Sequence, residues 1–178
     1  MKFCITALTV LITSLSFGDR TIPVTSEELH ARVEQAFTNA DAEIAVIIAI
    51  PDSQRTFDNT VGAIDDMIAR LDDAINVAVF MAYVHPEADI REAAQAGEQV
   101  WSDWSIDFSK NEELYNAVKS YADTNPELAG EQARMLAHTM RDYRRSGMSL
   151  SKEDREKLIG IQKEIGKLSI EFEANIRN

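Results

Sequence analysis

Between Phe57 and Val79 large apolar residues return at steps of four and three almost without a break: Phe57, Val61, Ile64, Ile68, Leu71, Ile75 and Val79. That period is helical, and a strand, whose side chains alternate every second residue, cannot produce it. So regular a row also implies a neighbour, because an apolar seam of this kind is stable only against another element. Asp65, Asp66, Arg70, Asp72 and Asp73 lie off the seam and read as a solvated face. With 7 Gly and 4 Pro in 178 residues, long uninterrupted helices are favoured and a turn-rich β fold is not. The length suits one domain with its own core.

The remaining segments follow the same rule. Thr25 and Glu28 have capping-box spacing and open a first helix carrying Leu29, Val33, Ala36, Phe37, Ala40, Ile44 and Ile47 on one face. Pro51 ends it, and residues 51–55 form a connector to a second helix that starts near Thr56 and stops before Pro86. A third helix spans about Asp89 to Phe108, with Ile90, Ala93, Ala94, Gly97, Val100, Trp101 and Trp104 inward. Asn111 begins a shorter helix bearing Leu114, Tyr115, Val118 and Tyr121. Asn125 and Pro126 have the character of an N-cap and first helical position for a fifth, with Leu128, Met135, Leu136, Met140 and Tyr143, and Gly147 as its C-terminal cap. Ser151 and Asp154 open the last helix, whose inner stripe is expected to be Leu158, Ile161, Ile165, Leu168, Phe172 and Ile176. The fold class is therefore all-α, with about six amphipathic helices. The last stripe runs undiminished to Asn178, so the expectation is a chain cut in mid-helix, belonging to something larger.

The amino terminus has a different character. Lys2 precedes an apolar run from Phe3 to Leu15, then the small-x-small site Ser16-Phe17-Gly18, then Asp19-Arg20. This is the layout of a secretory signal peptide over residues 1–18, leaving a helical domain over 19–178 and a periplasmic or secreted location. The run is shorter than the ~20 residues a membrane span needs, so no membrane association is expected once the signal is removed. Cys4, the single cysteine, excludes an intrachain disulfide and a thiolate zinc site.

Chemistry is sparse. The formal net charge of −12 repels phosphate backbones, so no nucleic-acid partner is expected. His30, His85 and His138 make no His-Glu-x-x-His, the spacing that sets two imidazoles on one helical face with a glutamate base. His138 and Asp142 share a face but read as a surface pair. Arg141, Arg144 and Arg145 precede Gly147, where a helix C-terminus favours cations. Trp101 and Trp104, three apart, read as core packing. There is no glycine-rich phosphate loop and no Gly-x-Ser-x-Gly elbow. No catalytic, cofactor-binding or metal-ligating residue is assigned.

Several stretches nonetheless form an ordered set. They are Arg55-Thr56-Phe57-Asp58-Asn59-Thr60, Ile90-Arg91-Glu92-Ala93, Asn111-Glu112-Glu113-Leu114-Tyr115, the run Arg141 to Leu150, and Leu168-Ser169-Ile170-Glu171-Phe172-Glu173-Ala174-Asn175. In this order they resemble the amino-terminal region of the thimet oligopeptidase family of zinc metallopeptidases, which includes oligopeptidase A and dipeptidyl carboxypeptidase. The resemblance covers about Thr25 to Asn178. It implies a larger, two-lobed helical protein whose deep channel admits short peptides. It also implies zinc held by His-Glu-x-x-His and a downstream glutamate in the other half. No residue of this chain matches that motif, so the resemblance implies a non-catalytic segment forming part of the channel wall, with no zinc bound by the chain itself. A stand-alone helical binding or scaffolding module is the alternative.

Overall fold

The computed structural model describes residues 22, 23 and 25–177, without the side chain of residue 177. The signal peptide expected over residues 1–18 lies outside the described residues. Among the described residues six α-helices follow one another: α1 Ser26–Ile48, α2 Ala63–Val84, α3 Ala88–Ser109, α4 Glu112–Asp123, α5 Gly130–Arg145 and α6 Lys152–Arg177. Among the described residues there is no strand.

Helix α1 is the element its sequence announces. The Thr25 hydroxyl accepts the Glu28 N–H at 3.1 Å, satisfying one of the orphan donors of the first turn. Its buried face is Leu29, Val33, Ala36, Phe37, Ala40, Ile44 and Ile47, the full expected set. This face packs against α2 and α3, so the core lies between the first three helices, and α4 closes it with Leu114, Val118 and Tyr121.

Helix α2 is entered through a π-turn, Asp58–Gly62, in which the Gly62 N–H reaches the Phe57 carbonyl at 2.9 Å. Thr56 and Asn59 cap it reciprocally: Thr56 N–H donates to Asn59 Oδ1 at 2.8 Å, and Asn59 N–H donates to Thr56 Oγ1 at 3.2 Å. The helical path therefore begins at Thr56 as expected. The seam is wider than the expected row. Met67, Ala78, Met81 and Ala82 are buried with Ile64, Leu71 and Ile75, while Ile68 and Val79 are only half-buried. A helix held between two neighbours, α1 and α3, buries an arc rather than a line.

Three expectations are corrected. On α3 Glu98 is buried and Val100 lies 46% exposed, because the helix turns its small residues Ala93, Ala94 and Gly97 to the core. Gly97 permits that approach, since a Cβ there would stand 3.3 Å from Val33 Cγ2. Asn125 is not an N-cap: it adopts φ 51, just past the end of α4, and α5 begins only at Gly130. Asparagine tolerates the left-handed region, so the same residue type that caps a helix start also ends one.

The third correction concerns α6. Ile161, Ile165, Leu168, Phe172 and Ile176 face outward, each between 52% and 70% exposed. The side turned to α3 carries Ile159, Gln162, Gly166, Ile170 and Ala174, all at least half-buried. Gly166 allows the close approach, because a Cβ there would lie 2.5 Å from Ser102 Oγ. Lys163 fastens the pair through Asp107 at 2.6 Å. Helix α6 thus docks by its smaller, more polar face and leaves its stronger apolar face uncovered.

Candidate functional site

Several residues of the ordered set, and some that lie close to it, are fasteners between helices. Arg55, its side chain 4% exposed, donates from Nη1 to the Ile47 carbonyl at 3.1 Å and from Nη2 to the Ile48 carbonyl at 3.2 Å. Its Nε donates to Asp52 at 2.9 Å. Arg91 donates to the carbonyls of His85 and Pro86, both at 2.8 Å. Arg155 donates to the carbonyls of Met148 at 3.2 Å and Leu150 at 3.3 Å, and to Glu112 at 2.6 Å. Neither α1 nor α2 has a basic residue in its last turn. An arginine from the segment that follows supplies the cation and the donors that a helix C-terminus lacks. A lone arginine shortly after a proline-ended helix was the signal for this role.

The run Arg141 to Leu150 works the same way. Ser146 is the C-cap of α5 and Gly147, at φ 97, follows it. Gly147 N–H reaches the Arg144 carbonyl at 3.2 Å and Met148 N–H the Tyr143 carbonyl at 3.1 Å, closing the helix by a Schellman motif. Ser146 Oγ donates to the Ser109 carbonyl at 3.1 Å, tying this joint to the end of α3. Tyr143 is buried edge-on to Tyr115, with ring centroids 5.2 Å apart.

Burial pushes the Tyr143 phenol above its ordinary pKa. A group whose pKa is raised by folding stabilises fully below its unfolded pKa, near 10, and loses that contribution as pH rises. Tyr143→Phe is therefore expected to flatten the fall of stability above about pH 10. Urea midpoints at pH 8 and pH 11 check this, and an unchanged alkaline slope in the variant refutes it.

The histidines do not converge. His30 is in the first turns of α1, His85 caps α2 and accepts the Glu87 N–H at 3.2 Å on Nδ1, and His138 is exposed on α5. Asp142 is engaged first by Arg141, at 3.0 Å, which holds its carboxyl below the usual range. Among the described residues no three His, Cys, Asp or Glu side chains gather as a metal centre requires. The described residues do not fit a zinc site. Trp101 and Trp104 pack on Phe37, at 6.0 and 5.5 Å, and Trp104 Nε1 donates to Asp41 at 2.8 Å. They are packing residues, as their spacing suggested.

Two concave surfaces stand out among the described residues. An open groove of about 520 Å³ runs between α3 and α6, with Glu92, Gln99 and Asp103 on the α3 side and Lys163, Lys167, Glu164 and Glu171 on the α6 side. It offers hydrogen bonds and mixed charge but no nucleophile beside a base. A hollow of about 370 Å³ lies on the outer face of α6 among Ile165, Leu168, Ser169, Phe172 and Glu173. Among the described residues no helix is long and apolar enough to cross a membrane.

No family model matches the chain. It is similar to a thimet-like oligopeptidase of Dictyostelium discoideum, 31% identical over 159 residues, covering 86% of this chain and 24% of that protein. A probable thimet oligopeptidase of Arabidopsis thaliana is 26% identical over 121 residues, 68% of this chain and 17% of the relative. A mitochondrial intermediate peptidase of Candida albicans is 26% identical over 125 residues, 68% and 16% respectively. The chain spans about a quarter or less of the length of these relatives. The names of the fungal relatives overturn the expected periplasmic or secreted location. One lysine before a short apolar run does not by itself fix a compartment. With peptidases of one kind matching over most of its length, the chain belongs to the thimet oligopeptidase family.

Proposed function

We propose that this chain is an amino-terminal, non-catalytic segment of a zinc metallopeptidase that hydrolyses short peptides, and that it supplies part of the wall of the substrate channel. The observation that carries this reading is the lopsided match to the Dictyostelium relative, 86% of this chain against 24% of that protein. The fastened helix joints support it, since a wall element must hold its shape without contributing reactive groups. Zinc and the water-activating glutamate belong to the remainder of the protein in this reading. A mitochondrial setting follows the names of the fungal relatives. The uncovered face of α6 weighs against a stand-alone module, because a finished surface seldom exposes so long an apolar row.

The purified 178-residue chain is expected to leave quenched fluorescent peptides of five to fifteen residues uncut, about the no-enzyme rate being the outcome. Hydrolysis that a chelator abolishes overturns the non-catalytic assignment. In the gene, an in-frame His-Glu-x-x-His downstream of the Asn178 codon is expected. Its absence over the following several hundred codons overturns the metallopeptidase assignment.

A further inference from the structure

We infer that the outer face of α6 is a seat for one amphipathic helix, with an apolar knob row and basic flanks, contributed by the part of the peptidase outside these residues. The inference rests on the proposed function for the source of that helix, and on α6 itself for its chemistry.

The geometry of the hollow selects a helix. Ile165, Leu168, Ser169 and Phe172 stand at i, i+3, i+4 and i+7 on α6 and surround it. Four residues at those offsets form the hole that receives one knob from a facing helix. A small residue, Ser169, at the i+4 corner keeps the hole open, and the large Phe172 walls its far end. The row continues on both sides, to Ile161 in one direction and Ile176 in the other, with steps of four and three throughout the core of the row. A strand or an irregular loop would meet these residues at the wrong period and leave its own backbone groups against an apolar surface.

The patch does not end with α6. Tyr83 OH donates to Glu173 Oε2 at 3.3 Å, which brings the end of α2 against the end of α6. Phe80, 55% exposed, stands beside Tyr83 with ring centroids 6.4 Å apart. The uncovered apolar surface therefore spans two helices, larger than scattered exposed residues would give.

Charge selects the flanks. With 100° per residue, Glu164 and Glu171 fall along one edge of the row and Glu173 along the other. Lys167 stands further round the same edge, 3.9 Å from Glu171. An acidic border on a molecule of net charge −12 disfavours a second copy of the same face and favours lysine or arginine beside the knobs.

The test uses the 178-residue chain and two synthetic 21-residue helical peptides with leucine at the a and d positions, one with lysine and one with glutamate at e and g. The lysine peptide is expected to bind one-to-one by titration calorimetry, and the glutamate peptide at least about tenfold more weakly. The double variant Leu168→Glu, Phe172→Glu is expected to lose binding of the lysine peptide by about a hundredfold while keeping the helical circular dichroism of the parent chain. Equal binding of the two peptides, or no binding of either, overturns the inference. A dimer of the chain alone that the double variant abolishes assigns the face to a second copy and overturns it as well. Unfolding of the double variant places the row inside the molecule, with the same consequence. Docking is read without peptide hydrolysis, so its failure is distinct from failure of the peptidase assignment.

Discussion

Replacing Arg55 with alanine is expected to lower the stability of the chain by about 3 kcal/mol. Its guanidinium is enclosed, with 4% of the side chain exposed, and it satisfies the carbonyls of Ile47 and Ile48 at the end of α1. Hydrogen bonds from a charged donor contribute about 1.5–3 kcal/mol each, and the truncation leaves two acceptors without their donor and a void in place of the stem. The partner carboxylate adds little. Asp52 is 74% exposed, so solvent screens that pair. Lysine at this position restores the charge but only one of the two carbonyl contacts, so Arg55→Lys is expected to fall between the parent and alanine. Urea unfolding at pH 7 measures the order. A loss under about 1 kcal/mol for alanine would show that water replaces the guanidinium freely. A second readout is independent of that size. Arg55 and Ser120 hold the Asp52 carboxyl below its usual range, a contribution present above the unfolded pKa and lost as pH falls through the folded one. The alanine variant should lose part of that acid-side slope.

How far such features could be seen in advance differs from helix to helix, for a physical reason. In α1 a single arc holds nearly all the large apolar residues, with Val46 the main exception, so all seven buried residues were legible from period alone. In α6 two arcs compete. Ile161, Ile165, Leu168, Phe172 and Ile176 make the larger hydrophobic row, yet the bundle takes the arc with Gly166 and Ala174. Period identifies a face, whereas which face meets the neighbour depends on how closely the backbones can approach, and that is set by small residues. Asn125 failed for a related cause: its side chain suits a helix start and its backbone suits a helix stop, and only the chain beyond Pro126 decides between them.

The candidate site carries the same lesson. The stretches that marked the family were visible as an ordered set, but their work was not. Arg55 and Arg91 in those stretches, and Arg155 just beyond one of them, each reach back to carbonyls at the end of a preceding segment, at separations of five to eight residues. No spacing rule for helical faces spans a helix end, so the donors could be counted in the sequence and their acceptors could not. In this chain these contacts fix the angles between successive helices. A segment proposed to form one wall of a channel depends on those angles more than on any single exposed group.

The joint between α5 and α6 sets the last of those angles, and Gly147→Val is expected to cost about 4 kcal/mol there. Two separate effects add. At φ 97 the backbone lies where L residues are strained by about 1–2 kcal/mol. A Cβ would also stand 2.9 Å from Leu158 Cδ2 and 3.1 Å from Leu150 Cδ1, and the branches of valine extend into the same two side chains. Gly147→Ala brings the strain and the two Cβ contacts without valine's branches, and the leucine ends can relieve those contacts in part, so about 2 kcal/mol is expected. Gly130 separates the two effects. It too has positive φ, 57, but nothing lies within 4 Å of its Cβ position. Gly130→Ala should therefore show backbone strain alone, about 1 kcal/mol. Thermal or urea unfolding of the three variants is expected to rank them Gly147→Val, Gly147→Ala, Gly130→Ala from largest loss to smallest. Equal losses at the two alanine sites would mean that Leu150 and Leu158 move aside without cost. The α5–α6 joint would then be softer than its contacts imply, and α6 would be free to adjust its outward row to whatever helix meets it.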